Sequence, residues 1–110
     1  MSEDKLQAEC FMWHWNTHQN ERGRLFMVHN TPRNKIDGAR LKAMGMVAGV
    51  SDMIYLRTNK PPLCIEFKTA IGRQAEAQTR WQAVVESLGC EYKLIRSFDE
   101  FKEAIDTANA

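Results

Sequence analysis

The strongest constraint on the fold is the order of three segments in the second half of the chain. The apolar run LCIEF at residues 63–67 predicts a strand. Residues 74–89 carry apolar side chains at helical spacing and end in Gly89, as a helix does. Residues 90–96, CEYKLIR, predict a further strand. Because a helix between two strands allows them to lie parallel, the sequence indicates an α/β fold with a crossover connection.

The segment before this crossover has the pattern of a hairpin. The runs DMIYLRT and PLCIEFKT flank NKPP, and we expect Pro61 and Pro62 to lie outside the ladder. Further upstream, RLFMVHN predicts a short strand, TPRNKIDG a loop and ARLKAMG a short helix that ends at Gly45.

Helices are predicted at both ends of the chain. Residues 3–20 contain neither Gly nor Pro, and Ser2 is the expected N-cap. Near the other end, Ser97 and Glu100 match a capping box. The first helix is expected to present an apolar face of Leu6, Cys10, Trp13 and Thr17, and the helix before Gly89 one of Ala77, Trp81, Val84, Val85 and Leu88. The order αβ(α)ββαβα predicts one domain over residues 1–110, a small mixed β-sheet flanked by helices.

Composition indicates a soluble globular protein, with 44% hydrophobic and 26% charged residues in 110. No apolar run approaches the length of a membrane span, and the start MSEDKLQ lacks the apolar core of a signal peptide. We therefore expect a cytoplasmic protein with no membrane partner and with its three cysteines reduced.

The net charge is only +1, but the charges are unevenly distributed. Residues 21–42 are basic, which suits a polyanionic partner. A solvated surface explains the same charges equally well. The basic residues of this stretch are Arg22, Arg24, Arg33, Lys35, Arg40 and Lys42.

Glu66 interrupts the apolar run LCIEF, and Lys68 follows two residues later on the same strand face. The predicted hairpin could bring Asp52 close to Glu66. Two adjacent carboxylates repel, so one holds a proton unless a cation lies between them, and Mg²⁺ is a natural choice for oxygen ligands. Lys68 could then position a water or offset phosphate charge. The alternative is an exposed ion pair with no function.

The stretches GMVAGVSDMIYL, LCIEFKT, GRQAEAQTRW and LGCEYKLIRSFDEF together resemble the virus-type replication-repair nuclease (VRR-NUC) domain, a branch of the PD-(D/E)xK nuclease superfamily. The resemblance covers nearly the whole chain. One departure is Ser51, which stands where the superfamily has Pro before its Asp. The matching positions are Glu3, Gln7, Trp13, Asn30, Gly45, Gly49, Asp52, Glu66, Lys68, Gly72, Gln78 and Trp81.

This resemblance implies a restriction-endonuclease-like core and a structure-selective DNA endonuclease dependent on Mg²⁺ or Mn²⁺, acting at branched DNA such as Holliday junctions. Small relatives of this kind belong to phages or mobile elements and resemble dimeric resolvases, so a homodimer is expected, without an organic cofactor. Cleavage would leave a 5′-phosphate and a 3′-hydroxyl.

The resemblance also implies roles for individual residues. Asp52, Glu66 and the backbone carbonyl of Phe67 would bind the metal, and Lys68 would activate the water. Gln78 would contact Lys68 or the scissile phosphate. Glu3 would reach the metal through water, with Glu9 as the alternative carboxylate on the first helix. The candidate DNA contacts are Asn30, Arg33, Lys35, Arg40, Lys42 and Arg73.

Two other classes of protein remain open at this point. One is a catalytically silent nucleic-acid-binding module on the same scaffold, and the other is a small α/β interaction protein in which Glu66 and Lys68 merely pair. A zinc site at His14 and His18, spaced i, i+4, is disfavoured because the stretch HWNTH lacks further ligands.

Overall fold

The chain forms a four-stranded sheet with helices on both of its faces, as seen in a computed structural model that describes residues 1–29 and 31–109. The predicted order of elements and the mixed α/β class are confirmed. The elements are α1 (Glu3–Thr17), a 3-10 helix (Gln19–Glu21), β1 (Leu25–Met27), α2 (Lys35–Ala43), β2 (Met53–Arg57), β3 (Lys60–Phe67), α3 (Glu76–Ser87), β4 (Glu91–Ile95) and α4 (Phe98–Thr107).

The strands lie in the order β1-β2-β3-β4, so β3 is a central strand. β1, β2 and β3 are antiparallel neighbours, whereas β3 and β4 are parallel, as the crossover through α3 predicts. A central strand covered by helices on both faces buries alternate side chains in two different cores. This explains why LCIEF is apolar almost throughout.

The larger core lies between one face of the sheet and the two terminal helices, α1 and α4. Ile65 and Phe67 of β3 pack there with Leu6 of α1 and Phe101 of α4. The opposite face of β3 turns Cys64 towards Val85 of α3 and Tyr92 of β4, in a smaller core. Glu66 alternates with Ile65 and Phe67, so it shares the α3 side of the sheet with Cys64.

The hairpin between β2 and β3 turns at residues 58–59, where Asn59 adopts a left-handed φ of 56°. Pro61 and Pro62 lie within β3, which begins at Lys60, but neither is among the paired positions of the β2–β3 ladder, so they lie outside the ladder as expected. They occupy an irregular stretch between the regular β2–β3 pairs, where a missing N–H donor is tolerated.

The loop predicted for TPRNKIDG is wrong in its second half, because α2 begins at Lys35. Asn34 caps this helix by accepting a hydrogen bond from the Asp37 backbone N–H at 2.8 Å. Asp37 is the one described residue of α2 that is buried, and Ile36 beside it is 84% exposed. α2 therefore lies on the domain without contributing apolar side chains to the core.

The apolar faces of two helices also differ from expectation. α1 buries Leu6, Cys10 and His14, while Trp13 is only partly buried. In α3, Val85 is the buried residue, whereas Val84 and Leu88 are exposed. The N-caps Ser2 and Ser97 are confirmed, because each side chain accepts a backbone N–H at its helix start. None of the helices in the described residues is both long and apolar enough to cross a membrane.

Candidate active site

Asp52 and Glu66 face each other where the β2–β3 hairpin opens. The register pairs Met53 with Ile65, and one step further along the antiparallel ladder lie Asp52 and Glu66. Asp52 precedes β2, and its Oδ2 accepts a hydrogen bond of 2.7 Å from the backbone N–H of Phe67. The hairpin therefore brings together the two carboxylates that the sequence singled out.

Lys68 completes this group at the end of β3. Its backbone N–H donates to the carbonyl of Ile95 on β4 at 3.0 Å, which fixes the chain where it leaves the strand. Its Nζ lies 3.6 Å from Oε2 of Glu66, and the side chain is only 11% exposed. The ammonium group thus faces the carboxylates rather than bulk solvent.

The two oxygens of Glu66 have unequal surroundings. The side chain is completely buried. Its Oε1 accepts hydrogen bonds from the hydroxyl of Tyr92 and from Nε2 of Gln74, the latter at 3.3 Å. Its Oε2 is buried with no hydrogen-bond partner within residues 1–29 and 31–109. A buried carboxylate oxygen that accepts no hydrogen bond is costly, so this atom is the strongest sign of a ligand site.

The pKa of Asp52 is raised above its usual value. Burial is the main cause, and the negative charges of Glu66 and Glu3 add to it. The Phe67 N–H and the Lys68 ammonium act in the opposite direction but do not outweigh these effects. A cation between the carboxylates would relieve the repulsion and favour the ionised form of Asp52.

The donor set fits a hard divalent ion that takes few protein ligands. Among the described residues, no group of three or more His, Cys, Asp or Glu side chains converges as a metal cluster. Two carboxylates are nevertheless sufficient for Mg²⁺, which commonly completes its octahedron with water and substrate phosphate. Two observations favour this fit: the buried Oε2 of Glu66 accepts no hydrogen bond from the described residues, and the pKa of Asp52 is raised.

Of the two carboxylates proposed on α1, Glu3 is the one near the site. Its charge acts on Asp52, as the raised pKa of Asp52 reflects. Glu9 is exposed, and its charge instead acts on Cys10, whose thiol pKa is raised to about 12 by burial and by this neighbour. The first turn of α1 therefore brings Glu3 close enough to act on Asp52.

Two glutamines near the start of α3 have different roles, because α3 begins at Glu76 and Gln74 precedes it. Gln78 uses its side-chain oxygen to accept the Ala75 backbone N–H at 2.7 Å, which caps the helix. Gln74 is the glutamine that reaches Glu66. Sequence reasoning missed Gln74 and Tyr92 as site residues. The parallel β3–β4 crossover was the available signal, because it sets Tyr92 beside Glu66 on one sheet face.

Several of the basic candidates are occupied by contacts within the chain. Arg33 and Arg40 both pair with Asp37, and the Arg33 N–H and Arg40 hold the pKa of Asp37 below its usual range. Lys35, Lys42 and Arg73 are exposed, and Asn30 lies outside the described residues. Arg22 stacks on Trp15, while Arg24 pairs with Glu21 and donates to the carbonyl of Leu56.

A groove of about 800 Å³ runs between α1 and the edge strand β1 and reaches Asp52. Its walls are largely apolar, because α1 and β1 both present apolar side chains to it. Residues of the groove include Ala8, Phe11, Trp15, Phe26 and Met27.

The two histidines of α1, which the sequence disfavours as a zinc pair, make contacts within the chain. His14 is buried, and its Nε2 contacts Oε1 of Glu21 at 3.0 Å, while its ring stacks on His18. Among the residues described, no group of three or more His, Cys, Asp or Glu side chains converges as a metal cluster around this pair.

Comparison with known proteins supports the fold. No family model and no curated protein sequence matches this chain. A solved structure titled "VRR_NUC domain protein" superimposes with a TM-score of 0.72 at 21% identity, covering 96% of this chain and 86% of that one. The chain therefore has the nuclease-like α/β fold of a VRR-NUC domain protein, as the sequence resemblance predicted.

Proposed function

We propose that this protein is a divalent-metal-dependent nuclease that hydrolyses phosphodiester bonds in DNA. The observation that carries the proposal is the buried Oε2 of Glu66, which accepts no hydrogen bond from the described residues and lies 3.6 Å from the Lys68 ammonium, in a side chain next to Asp52. The fold shared with a VRR-NUC domain protein supports the same class of reaction. Mg²⁺ or Mn²⁺ bound there would supply a Lewis acid for the scissile phosphate.

Each residue of the group has a separate task in this proposal. Asp52 and Oε2 of Glu66 hold the cation, and the carbonyl of Phe67 is the proposed third protein ligand. Lys68 holds its ammonium near the reacting phosphate, where it orients the attacking water and offsets developing negative charge. Glu3 binds a water at the edge of the site.

The side-chain oxygen of Gln78 accepts the Ala75 N–H, and its amide nitrogen is the atom of this side chain that can donate. We propose that this nitrogen donates to a phosphate oxygen at the start of α3. Such a contact would orient the substrate while leaving the helix cap intact.

Branched DNA, such as a Holliday junction, is the proposed substrate. Exposed Lys35 and Lys42 on α2, with Arg73 after β3, are available for phosphate contacts, and Arg33 and Arg40 lie close by. Phosphate contacts position a duplex without reading its sequence, so cleavage should be selective for structure. Equal cleavage of a junction and of the matching linear duplex would contradict this selectivity.

We also propose that two copies form a two-fold dimer through the apolar groove between α1 and β1. Cutting both strands of a symmetric junction needs two active sites, and a two-fold axis supplies them. The groove ends are complementary in charge, with Asp4 at one end and Arg22 over Trp15 at the other, so antiparallel copies of α1 would pair them. Light scattering should give a dimer for the wild type and a monomer for Met27→Glu. A monomeric wild type would contradict the assembly.

The test of the proposed function is cleavage of labelled DNA by the purified chain with Mg²⁺ or Mn²⁺. Four-way junction, splayed duplex, linear duplex and single strand are offered to the wild type, Glu66→Ala and Lys68→Ala. The chain contains a matched control, because Glu91 and Lys93 form a second Glu-x-Lys triplet on the neighbouring strand. We expect Glu66→Ala and Lys68→Ala to lose at least about 100-fold in rate.

The variants Glu91→Ala and Lys93→Ala should keep wild-type cleavage. Junction binding without cleavage under either metal would support a catalytically silent binding module instead. Cleavage that survives both Glu66→Ala and Lys68→Ala would show that the active residues lie elsewhere.

A further inference from the structure

Two side chains, Tyr92 and Gln74, donate hydrogen bonds to the same oxygen of the buried Glu66 carboxylate. The parallel register pairs Tyr92 of β4 with Cys64, which is on the same face of β3 as Glu66. The Tyr92 hydroxyl donates to Oε1 of Glu66, and Nε2 of Gln74 donates to the same oxygen at 3.3 Å. Gln74 is itself held, because its Nε2 also donates to Oε1 of Gln82 on α3 at 2.9 Å.

The contacts on Oε1 make the two carboxylate oxygens of Glu66 inequivalent. Oε1 accepts two hydrogen bonds, while Oε2 accepts none from the part of the chain that the structure describes. Tyr92 is itself buried, so its hydroxyl donates to Oε1 away from solvent.

We propose that Tyr92 and Gln74 are positioning residues that restrict Glu66 to binding a cation through Oε2 alone, and so make the site select Mg²⁺ or Mn²⁺ over Ca²⁺. The proposal rests on the proposed function and names the determinant of its metal preference. Ca²⁺ takes six to eight oxygen ligands and often binds a carboxylate through both oxygens, whereas Mg²⁺ requires a compact octahedron. A carboxylate with one oxygen already bonded favours the smaller ion.

The chain provides a matched control in its other tyrosine. Tyr55 is also buried, and its hydroxyl donates to a carboxylate, Oε1 of Glu21, at 2.6 Å. Tyr55 lies in the core under α1, whereas Tyr92 lies in the core under α3. Replacing either tyrosine by Phe removes one hydroxyl–carboxylate bond, but only one of the two carboxylates belongs to the proposed metal site.

The experiment measures binding of Mn²⁺ and of Ca²⁺ to the full chain by titration calorimetry, without DNA. Wild type, Tyr92→Phe, Gln74→Leu and Tyr55→Phe are compared after circular dichroism has established that each is folded. We expect the wild type to prefer Mn²⁺. Tyr92→Phe should reduce the ratio of Mn²⁺ to Ca²⁺ affinity by about tenfold, chiefly through tighter Ca²⁺ binding. Gln74→Leu should reduce it in the same direction, which keeps the test decisive if Tyr92→Phe does not fold.

The control Tyr55→Phe should leave the affinity ratio unchanged. An unchanged ratio in both Tyr92→Phe and Gln74→Leu, or an equal loss of affinity for both ions, would overturn the inference even if the wild type binds metal and cleaves DNA. A wild type that binds neither ion and cleaves no DNA would overturn the proposed function, and the inference with it.

Discussion

Two Glu-x-Lys triplets lie on neighbouring strands of the same sheet, and their surroundings differ. In β4, Oε2 of Glu91 lies 3.3 Å from Nζ of Lys93, both side chains are nearly half exposed, and Oε1 pairs with Arg57 at 2.7 Å. At the end of β3, Glu66 is completely buried; its Oε2 lies 3.6 Å from the ammonium of Lys68 and accepts no hydrogen bond within the described part of the chain. The sequence spacing of the two triplets is identical.

The difference between them separates a structural ion pair from a candidate site. An exposed pair such as Glu91 and Lys93 contributes about 0–1 kcal/mol and needs no further partner. A buried carboxylate with an unsatisfied oxygen opposes folding unless something binds to it. β4 is an edge strand and β3 a central one, so the position in the sheet, rather than the triplet, decides which role is possible.

The largest expected difference between the triplets is in the response to metal. A ligand at 100 times its dissociation constant stabilises the native state by about 2.7 kcal/mol, so saturating Mn²⁺ should raise the unfolding temperature of the wild type. Glu66→Gln should abolish this shift, because the neutral amide replaces the carboxylate oxygen that binds the ion. Glu91→Gln should retain it. The measurement is thermal unfolding with and without Mn²⁺. If both variants lose the Mn²⁺-induced rise in unfolding temperature equally, the two triplets do not differ in metal binding.

In the absence of metal, substitutions in the two places should change the unfolding free energy by smaller amounts. Asp52→Asn should raise it and Glu91→Gln should lower it. Asp52→Asn removes the repulsion between Asp52 and Glu66 while keeping an acceptor for the Phe67 N–H, so we expect a gain of about 1 kcal/mol at neutral pH. Glu91→Gln weakens its pair with Arg57 and should lose about 0.5–1 kcal/mol. Denaturant unfolding in the presence of a chelator measures both. Destabilisation by Asp52→Asn would mean that the metal-free pair is not under repulsion.

The sequence was sufficient for those parts of the fold that depend on local pattern. The apolar run LCIEF and the helical spacing that ends at Gly89 predicted the hairpin, the crossover and the order of elements. The first residues of α2 were predicted as loop. They are helical because the side chain of Asn34 caps the helix by accepting the Asp37 N–H. The sequence predicted some of the buried residues of α1 and α3 wrongly. Apolar residues at helical spacing do not reveal which of them another element of the fold covers.

The same limit applies to the site. Glu66 and Lys68 stood out because a charge within an apolar strand requires a local explanation. Gln74 and Tyr92 did not, because their meeting depends on a crossover that joins residues 18 positions apart in sequence. Conversely, the sequence treated the carboxamide of Gln78 as free, while the structure uses its oxygen for a helix cap. Contacts made by tertiary packing therefore changed the assignment of individual side chains more than the assignment of elements.

The smallest expected effect is on the pH dependence of stability. Asp52 and Glu91 should change the unfolding free energy in opposite directions as the pH rises. Burial raises the pKa of Asp52, with the Glu66 carboxylate adding to the effect, so the native state prefers the protonated acid. Stability should therefore fall as the pH rises from the unfolded-state pKa, near 3.9, through the raised native value. Burial alone would raise the pKa of Glu91, but hydrogen bonds from Arg57 and Lys93 lower it overall. Its contribution is present above the unfolded-state pKa and is lost as the pH falls through the native one.

Unfolding free energies of the metal-free protein between about pH 3 and 7 test both signs. Asp52→Asn should make the stability less dependent on pH on the neutral side of this range, whereas Glu91→Gln should change only its acidic side, and by less because Glu91 is nearly half exposed. Addition of Mn²⁺ should remove the loss at higher pH in the wild type, because a bound cation favours the ionised carboxylate. If Mn²⁺ leaves the wild-type pH profile unchanged while Asp52→Asn alters it, the raised pKa of Asp52 reflects burial alone and not a site that binds a cation.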